Sequence, residues 1–242
     1  MASVEDHYSN LLAPIYLWMA GGIDAALAQG ADEVAQYVPV RTDENVAIDL
    51  GAGFGMHSIP LARSGYTVTA IDSSPALLAE LRKYSEGLSV RAIEADLLHF
   101  RSHVSAPANL VLCMGDTITH VQDQASVERP FRDVANALAP AGRFVVTFRD
   151  YTNPPSGEAR FIPVRSDADR IHTCFLEETP QCMVVHDLLH ERRGTSWSMR
   201  VSSYRKLRLS PCWITAALER TGLCAKVESG PRGMLRVTAT AA

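Results

Sequence analysis

The sequence lacks the features of a secreted or membrane protein. It has no run of about 18 apolar residues, the length that crosses a bilayer, and its first residues, MASVEDHYSN, contain no basic stretch like that of a signal peptide. The five cysteines are odd in number and lie far apart, without a C-x-x-C pair. This pattern excludes a disulfide framework and a zinc or redox motif. We therefore expect a cytoplasmic protein with reduced thiols and no membrane partner.

Lysine is scarce: of the 23 basic residues 20 are arginine, and they form no stripe dense enough to bind a nucleic acid. Apolar residues are plentiful, since 47% of the 242 residues are hydrophobic and 21% are charged, enough to bury the core of one full-sized domain. The charge is uneven, because residues 1–120 carry 6 basic and 14 acidic groups (−8) and residues 121–242 carry 17 and 13 (+4). This asymmetry predicts two halves with different roles, and the lack of a basic stripe disfavours a nucleic-acid partner.

Short apolar segments alternate with helical patterns over the first 150 residues. Strands are predicted over residues 46–50, 66–71, 89–92, 108–113 and 143–148. Between the second and third strands, Ser74 and Pro75 suit the N-cap and the first position of a helix. The alternation predicts an α/β fold with a doubly wound, mostly parallel sheet, whose ligands bind at the carboxyl ends of the strands.

The alternation of strand and helix stops after Tyr151. Period-2 patterns then predict an inserted antiparallel sheet with strands over 171–176, 183–189 and 197–201. The segment Asn153-Pro154-Pro155-Ser156 has the composition of a turn. A helix over 212–220 and strands over 225–228 and 234–239 complete a seven-stranded main sheet. We expect three parts: an N-terminal helical cap at 1–41, a core at 42–151 and 210–242, and an antiparallel β lid over the substrate at 152–209.

The first two strands end in residues that suit a nucleoside. Asp49 precedes a G-x-G-x-G turn that begins at Gly51, and Asp72 ends the next strand. The glycines let the backbone approach a ligand closely, and Asp72 can accept hydrogen bonds from both hydroxyls of a ribose. Asp96, after the third strand, lies where an adenine amino group could be bound. The set predicts a nucleoside cofactor.

Two nucleoside cofactors fit this pattern to different degrees. A dinucleotide site uses G-x-G-x-x-G, since the helix after it receives a pyrophosphate. Here the third glycine, Gly55, comes one residue early. S-adenosylmethionine has no phosphate but carries a sulfonium cation, which suits the acidic first half.

The ordered motifs DLGAGFG, IDSSP, EADL and CMGDTITH resemble those of the class I S-adenosylmethionine-dependent methyltransferases. The resemblance covers roughly residues 42–150 and 205–242, and the set is far more specific than any one motif. Within that superfamily, the segments MGDTITH, RDY and KLRLS resemble the glycine and sarcosine N-methyltransferases, which carry an antiparallel insertion in the corresponding place. The expected fold is therefore the Rossmann-like methyltransferase fold with a β lid.

The resemblance implies where the cofactor lies. Gly51 to Gly53 would surround its methionine part, Asp72 would bind its ribose, and Asp96 would lie beside its adenine. An N-terminal aromatic, Tyr8, would close over the methyl donor, with Tyr16 or Trp18 as the second aromatic. The alternative for this stretch is an amphipathic helix whose apolar face, Trp18 included, packs on the sheet. The expected cofactor-binding residues are Tyr8, Tyr16, Asp49, Gly51, Ala52, Gly53, Asp72, Ser73, Asp96, Leu97, Met114 and His120.

The resemblance also implies an acceptor site. Arg149 would bind a substrate carboxylate. The alternative role for Arg149 is an ion pair with Asp150 or a neighbouring acid. Asp116 stands where the glycine-type enzymes have asparagine, and it would repel a carboxylate, so it could bind an ammonium group instead. His120 is the candidate general base. The expected substrate-binding residues are Asp116, Arg149, Tyr151, Arg200 and Tyr204.

Three histidines of the insertion, His172, His186 and His190, lack a clear third metal ligand. We expect them to be exposed or hydrogen-bonded, and we expect no metal cofactor. The function predicted is methyl transfer from S-adenosylmethionine to a small molecule at an amine nitrogen, with S-adenosylhomocysteine as product. The alternatives are O-methylation, a macromolecular (RNA) methyltransferase and a non-catalytic S-adenosylmethionine-binding protein. The sequence leaves open whether the protein forms a homo-oligomer.

Overall fold

The computed structural model describes residues 3–38 and 45–241. Its main sheet contains β1 (Val46–Leu50), β2 (Thr67–Asp72), β3 (Val90–Glu94), β4 (Ala108–Cys113), β5 (Leu138–Phe148), β10 (Leu223–Ser229) and β11 (Leu235–Ala241). The strand order is β10-β11-β5-β4-β1-β2-β3, with β1 to β5 parallel and β11 antiparallel to both of its neighbours. The predicted seven-stranded, mostly parallel sheet is confirmed.

Helices cover both faces of this sheet. Seven α-helices occur in the described residues: α1 (Val4–His7), α2 (Tyr16–Met19), α3 (Ile23–Ala35), α4 (Ser58–Arg63), α5 (Pro75–Tyr84), α6 (Gln124–Ala137) and α7 (Pro211–Glu219). Ile48 of β1 packs in the cluster that holds α6 and α7, whereas Ala47 packs in a cluster with α3 and α4. Because neighbouring residues of a strand face opposite sides, the sheet is doubly wound, as predicted.

The local signals for helix starts are confirmed. Ser74 caps α5 by accepting a hydrogen bond from the backbone N–H of Leu77, and Pro75 occupies the first helical position. The end of β3 differs from its prediction, because the strand continues to Glu94, which pairs in register with Asp72. Both residues therefore lie at the carboxyl edge of the sheet.

The insertion is a separate antiparallel sheet of four strands, β6 (Phe161–Ser166), β7 (Arg170–Glu178), β8 (Cys182–Arg193) and β9 (Ser196–Leu207), paired in that order. Three of these strands were predicted, at shorter lengths. β6 was missed because most of its side chains are exposed and it contains Pro163, so its sequence shows no buried alternate face.

The N-terminal segment is helical but irregular: α1 continues into a π-helical turn (Tyr8–Leu12) and a 3-10 turn (Ala13–Ile15). Its buried side chains Leu11 and Ile15 pack with Leu189 of β8, so these two residues pack on the lid sheet. The expected boundary between residues 41 and 42 lies outside the described residues. Among those described, no single helix is long and apolar enough to cross a membrane; helices 4–19 and 23–35 meet the criterion only as a pair bent by 80°.

Candidate active site

A cavity of about 720 Å³ lies between the carboxyl edge of the main sheet, the N-terminal segment and the lid. The lining of the cavity has two distinct parts. The glycine edge comprises residues 51–53, Asp72 and Asp96, and the lid wall comprises His172, Cys174, Asp187, Tyr204 and Lys206. Of the residues predicted to bind a ligand, those that line the cavity are Tyr8, Tyr16, Gly51, Ala52, Gly53, Asp72, Ser73, Asp96, Leu97, Met114, Asp116, His120, Arg149 and Tyr204.

The glycine edge begins with a turn that only glycine suits. Gly51 has φ 75°, and its N–H and that of Ala52 both donate to the carbonyl oxygen of Ile71, at 2.8 and 3.0 Å. A Cβ on Gly51 would lie 2.4 Å from the methyl group of Thr117. A side chain there would therefore strain the backbone and collide with the cavity wall.

Asp72 is the centre of the glycine edge. Its two carboxylate oxygens accept hydrogen bonds from the N–H groups of Gly53 and Ser74, each at 2.8 Å. Burial raises the pKa of Asp72 from its ordinary value, against these two hydrogen bonds. A carboxylate has about four acceptor positions, so two remain for the hydroxyl groups of a ligand. The geometry fits a ribose.

Asp96 lies across the glycine edge from Asp72, and it caps the 3-10 turn Leu97–His103. One oxygen accepts the N–H of Leu98 at 2.8 Å, which leaves the carboxylate free to accept a further donor such as an amino group. Asp49 does not reach the cavity. It is 1% exposed and accepts a hydrogen bond from the hydroxyl of Ser58 at 2.6 Å, so its predicted cofactor contact is replaced by a contact with the start of α4.

Aromatic side chains line the cavity opposite the glycine edge. The ring of Tyr8 lies 6.1 Å from that of Tyr16, 5.6 Å from that of His120 and 6.4 Å from that of Tyr204, measured between centroids. Burial raises the pKa of all three tyrosines. Trp18 does not line the cavity; its indole N–H donates to Asp167 of the lid. The second aromatic at the cavity is therefore Tyr16.

His120 is uncharged at neutral pH. Burial, together with the positive charges of Lys206 and of His7 when protonated, lowers the pKa of His120 well below its usual range. A neutral imidazole in an aromatic surrounding can pack against a cation, but it is a weak base. This favours a cofactor-lining role over the role of general base.

Asp116 is already paired. Its backbone is left-handed (φ 73°), its carboxylate forms an ion pair with Lys206, and it accepts the backbone N–H of Arg149 at 2.9 Å. The predicted contact between Asp116 and a substrate ammonium group is therefore taken by Lys206. Sequence analysis did not assign a role to Lys206; its position two residues after Tyr204 on β9, on the same face, is the signal that could have found it.

The Arg149 guanidinium forms no ion pair with an acidic residue in the described part of the chain, and Arg149 lines the cavity. The alternative pairing with Asp150 is not seen, because Asp150 accepts hydrogen bonds from Thr152 instead. Arg149 is thus a cation available to an anionic ligand.

Two residues predicted to bind substrate lie elsewhere. Tyr151 is 4% exposed and packs among Leu176, Met183 and other apolar residues beneath the lid. Arg200 lies on the surface of β9, where it pairs with Glu191 and donates to the carbonyl oxygen of Asn10. The second error concerns the position along the strand: Arg200 lies on the same face of β9 as Tyr204, but four residues before it, beside Asn10 of the N-terminal segment.

The lid wall contains a buried cluster that sequence analysis missed. Asp187 accepts hydrogen bonds from Nε2 of His172 at 2.7 Å, from the thiol of Cys174 at 2.7 Å and from Nε2 of His7 at 2.9 Å. The ligand-capable atoms of His172, Cys174 and Asp187 lie within 4.8 Å of one another. Of the three histidines that the sequence offered as metal ligands, His172 belongs to the cluster around Asp187, whereas His186 pairs with Glu177 at 2.8 Å.

Comparison with known proteins supports a cofactor site of this kind. Residues 47–142 match the family described as a methyltransferase domain. A glycine/sarcosine N-methyltransferase of Halorhodospira halochloris is 24% identical over 106 residues, which are 43% of this chain and 40% of that protein. A ubiquinone biosynthesis O-methyltransferase of Xylella fastidiosa is 35% identical over 122 residues, 48% of this chain and 46% of that protein. The matched region thus spans less than half of these curated relatives.

Solved structures share the fold over nearly the whole chain. The CcbJ methyltransferase from Streptomyces caelestis superposes with a TM-score of 0.78 at 19% identity, covering 97% of this chain and 98% of that one. CalS10, an amino pentose methyltransferase from Micromonospora echinaspora bound to S-adenosylmethionine, superposes with a TM-score of 0.76 at 16% identity, covering 95% and 96%. Residues 47–142 thus match a methyltransferase domain, and the chain shares the fold of these solved methyltransferases over nearly its whole length.

Proposed function

We propose that this protein transfers the methyl group of S-adenosylmethionine to the nitrogen of a small amine that also carries an anionic group. The observation that carries the proposal is the pairing, in one cavity, of the glycine edge with an Arg149 that has no acidic partner among the described residues. The glycine edge suits the nucleoside of the cofactor, and Arg149 suits a carboxylate or phosphate of the acceptor.

The residues of the glycine edge fit the cofactor. Asp72 keeps two acceptor positions for the ribose hydroxyls, Asp96 can accept from the adenine amino group, and the bare backbone at Gly51 to Gly53 leaves room for the methionine part. S-adenosylmethionine supplies a methyl group made electrophilic by a sulfonium. The rings of Tyr8, Tyr16 and His120, which lie close together in the cavity wall, would face that cation and exclude water from it.

The remaining residues serve the acceptor. Arg149 would hold its anionic group and thereby fix the distance from the nitrogen to the methyl carbon. Because Asp116 is paired with Lys206, its charge does not repel that anion. Positioning and exclusion of water account for most of the catalysis that a methyl transfer needs. Nitrogen as the acceptor atom is supported by the glycine/sarcosine relatives, and oxygen by the ubiquinone O-methyltransferases.

Calorimetry with S-adenosylhomocysteine tests cofactor binding, and a screen of small amines and phenols, each with and without a carboxylate, tests the acceptor. Turnover is followed as S-adenosylhomocysteine release, and mass spectrometry of the product distinguishes N- from O-methylation. We expect turnover of carboxylate-bearing amines. Turnover of phenols alone would overturn nitrogen as the acceptor atom.

Arg149→Ala is expected to raise KM for the acceptor about tenfold or more, with the affinity for S-adenosylhomocysteine unchanged, since a charged hydrogen bond contributes about 1.5–3 kcal/mol. The matched control is Arg200→Ala, an arginine on the lid surface. Equal KM values for the two variants would contradict the role of Arg149.

A further inference from the structure

The proposed function leaves the buried cluster of the lid wall without a role. His172 on β7 and Asp187 on β8 are 1% and 2% exposed, and both line the cavity. His7, from α1, is fully buried and holds the second oxygen of Asp187, while its other ring nitrogen bonds to the hydroxyl of Ser202 at 2.8 Å. Ionisable side chains from two strands and one helix therefore meet at one buried carboxylate.

The hydrogen bonds determine which nitrogen of His172 carries its proton. Burial raises the pKa of Asp187, but hydrogen bonds from His172, His7 and Cys174 outweigh burial and hold that pKa well below its usual range. An ionised carboxylate can only accept, so Nε2 of His172 must donate to it. In the neutral imidazole, Nδ1 is then the nitrogen that keeps a lone pair.

Nδ1 of His172 has no partner. Among the described residues that line the cavity, it is the one buried side-chain nitrogen or oxygen without a hydrogen bond. A buried acceptor without a donor destabilises a protein by about 1–3 kcal/mol, and native structures seldom tolerate it without a reason. Because His172 belongs to the cavity wall, a bound ligand is the natural source of the missing donor.

We propose that His172 is the proton acceptor for the acceptor amine and that Asp187 is its positioning residue. The proposal rests on the proposed function, since it needs an amine in the cavity. An ammonium group has no lone pair and cannot attack. His172 takes one N–H proton onto Nδ1, the freed nitrogen pair then forms the new N–CH₃ bond, and the C–S bond breaks with its electron pair left on sulfur. The carboxylate of Asp187 stabilises the imidazolium that results.

The charges around the two cavity histidines support this assignment. His172 faces the carboxylate of Asp187 from β8, the thiol of Cys174 on its own strand and, across Asp187, His7 from α1; the positive charges of Lys206 and Arg149 act on the neighbouring Cys174, whose pKa they lower against burial. His120 has no carboxylate partner in the described chain, and burial lowers its pKa. Of the two, His172 is the one that is hydrogen-bonded to a carboxylate.

Steady-state kinetics test the proposal, with S-adenosylmethionine and sarcosine as probes between about pH 6 and pH 9. His172→Asn is expected to lower kcat about 10²-fold or more at neutral pH, with unchanged affinity for S-adenosylhomocysteine. Its rate should then rise about tenfold per pH unit as solvent deprotonates the amine, whereas the parent rate levels off. A variant with the parent pH profile would overturn the proposal. The control is His186→Asn, a histidine on the other face of the lid.

A second measurement does not depend on turnover. Nitrogen-15 NMR of histidine-labelled protein saturated with S-adenosylhomocysteine reports the tautomer of His172, assigned by its loss in His172→Asn. We expect a neutral ring with its proton on Nε2 and an unprotonated Nδ1, and a loss of this tautomer preference in Asp187→Asn. A proton resident on Nδ1 in the neutral ring would overturn the proposal. Absence of S-adenosylhomocysteine binding, by contrast, would refute the proposed function itself.

Discussion

The glycine edge and the lid wall both contribute carboxylates to the cavity, but they are assembled over different distances along the chain. In the glycine edge, the bond from Gly53 to Asp72 joins residues 19 apart in sequence. In the lid wall, the bond from His7 to Asp187 joins residues 180 apart, and that from Lys206 to Asp116 joins residues 90 apart. One side of the cavity is thus a local structure of strand ends, and the other exists only when the lid and the N-terminal segment pack on the core.

This difference predicts where substitutions affect folding and where they affect ligand binding. Changes in the lid wall should first lower the stability of the packed lid, because their partners lie on other parts of the chain. Changes in the carboxylates of the glycine edge should first lower cofactor affinity, because the strands that hold them are fixed by the core of the sheet.

The largest expected effect is that of Lys206→Met, which leaves the buried carboxylate of Asp116 without its ion pair. We expect the free energy of unfolding to fall by about 3–5 kcal/mol in urea denaturation at neutral pH. Lys226→Met is the control, since Lys226 is 75% exposed and its pair with Glu228 should contribute less than about 1 kcal/mol. Equal stability of the two variants would mean that the lid is not held through Asp116.

Asp72→Ala should lower the affinity for S-adenosylhomocysteine about 100-fold or more, measured by calorimetry, because two charged hydrogen bonds to the ribose would be lost. Asp123→Ala provides the comparison: it removes the N-cap of α6 on the surface, which should reduce stability by about 1 kcal/mol and leave affinity unchanged. Unaltered binding by Asp72→Ala would refute the ribose contact.

Gly51→Ala and Gly87→Ala separate backbone strain from collision. The two glycines have φ values of 75° and 76°, but a Cβ on Gly51 would meet Thr117, whereas nothing lies within 4 Å of one on Gly87. We expect both variants to lose about 1 kcal/mol and Gly51→Ala to lose a further 1–3 kcal/mol, measured by thermal unfolding. Combining Thr117→Ala with Gly51→Ala should restore part of the additional stability loss. An identical stability loss in Gly51→Ala and Gly87→Ala would show that the added Cβ does not collide with Thr117.

The smallest effect concerns acid stability. Because the folded pKa of Asp187 is held below its unfolded value, its contribution to stability is complete above about pH 4 and is lost as the pH falls towards the folded pKa. The difference in unfolding free energy between the parent and Asp187→Asn should therefore narrow on acidification below about pH 4. A difference that stays constant with pH would indicate that the buried cluster of the lid wall does not hold Asp187 ionised.

Local patterns were sufficient for the main sheet and for most of the residues of the glycine edge. The strand ends, the turn at Gly51 and the cap at Ser74 are all determined by neighbours in sequence, so Asp72 and Asp96 could be assigned before the fold was known. Asp49 was misassigned because position next to a turn does not tell which way a strand residue points. Tyr16 and Trp18 could not be distinguished for a similar reason, since the irregular turns before α2 set the direction of both.

The sequence by itself determined the class of fold, the residues gathered at the carboxyl edge of the main sheet and the presence of an inserted antiparallel sheet. It did so because apolar periodicity and glycine conformation act over a few residues. Only the tertiary structure decided that Lys206 neutralises Asp116, that Arg149 stays available and that His7 and His172 share Asp187. Those contacts join residues far apart in the chain, and their energies depend on a burial that no local pattern encodes.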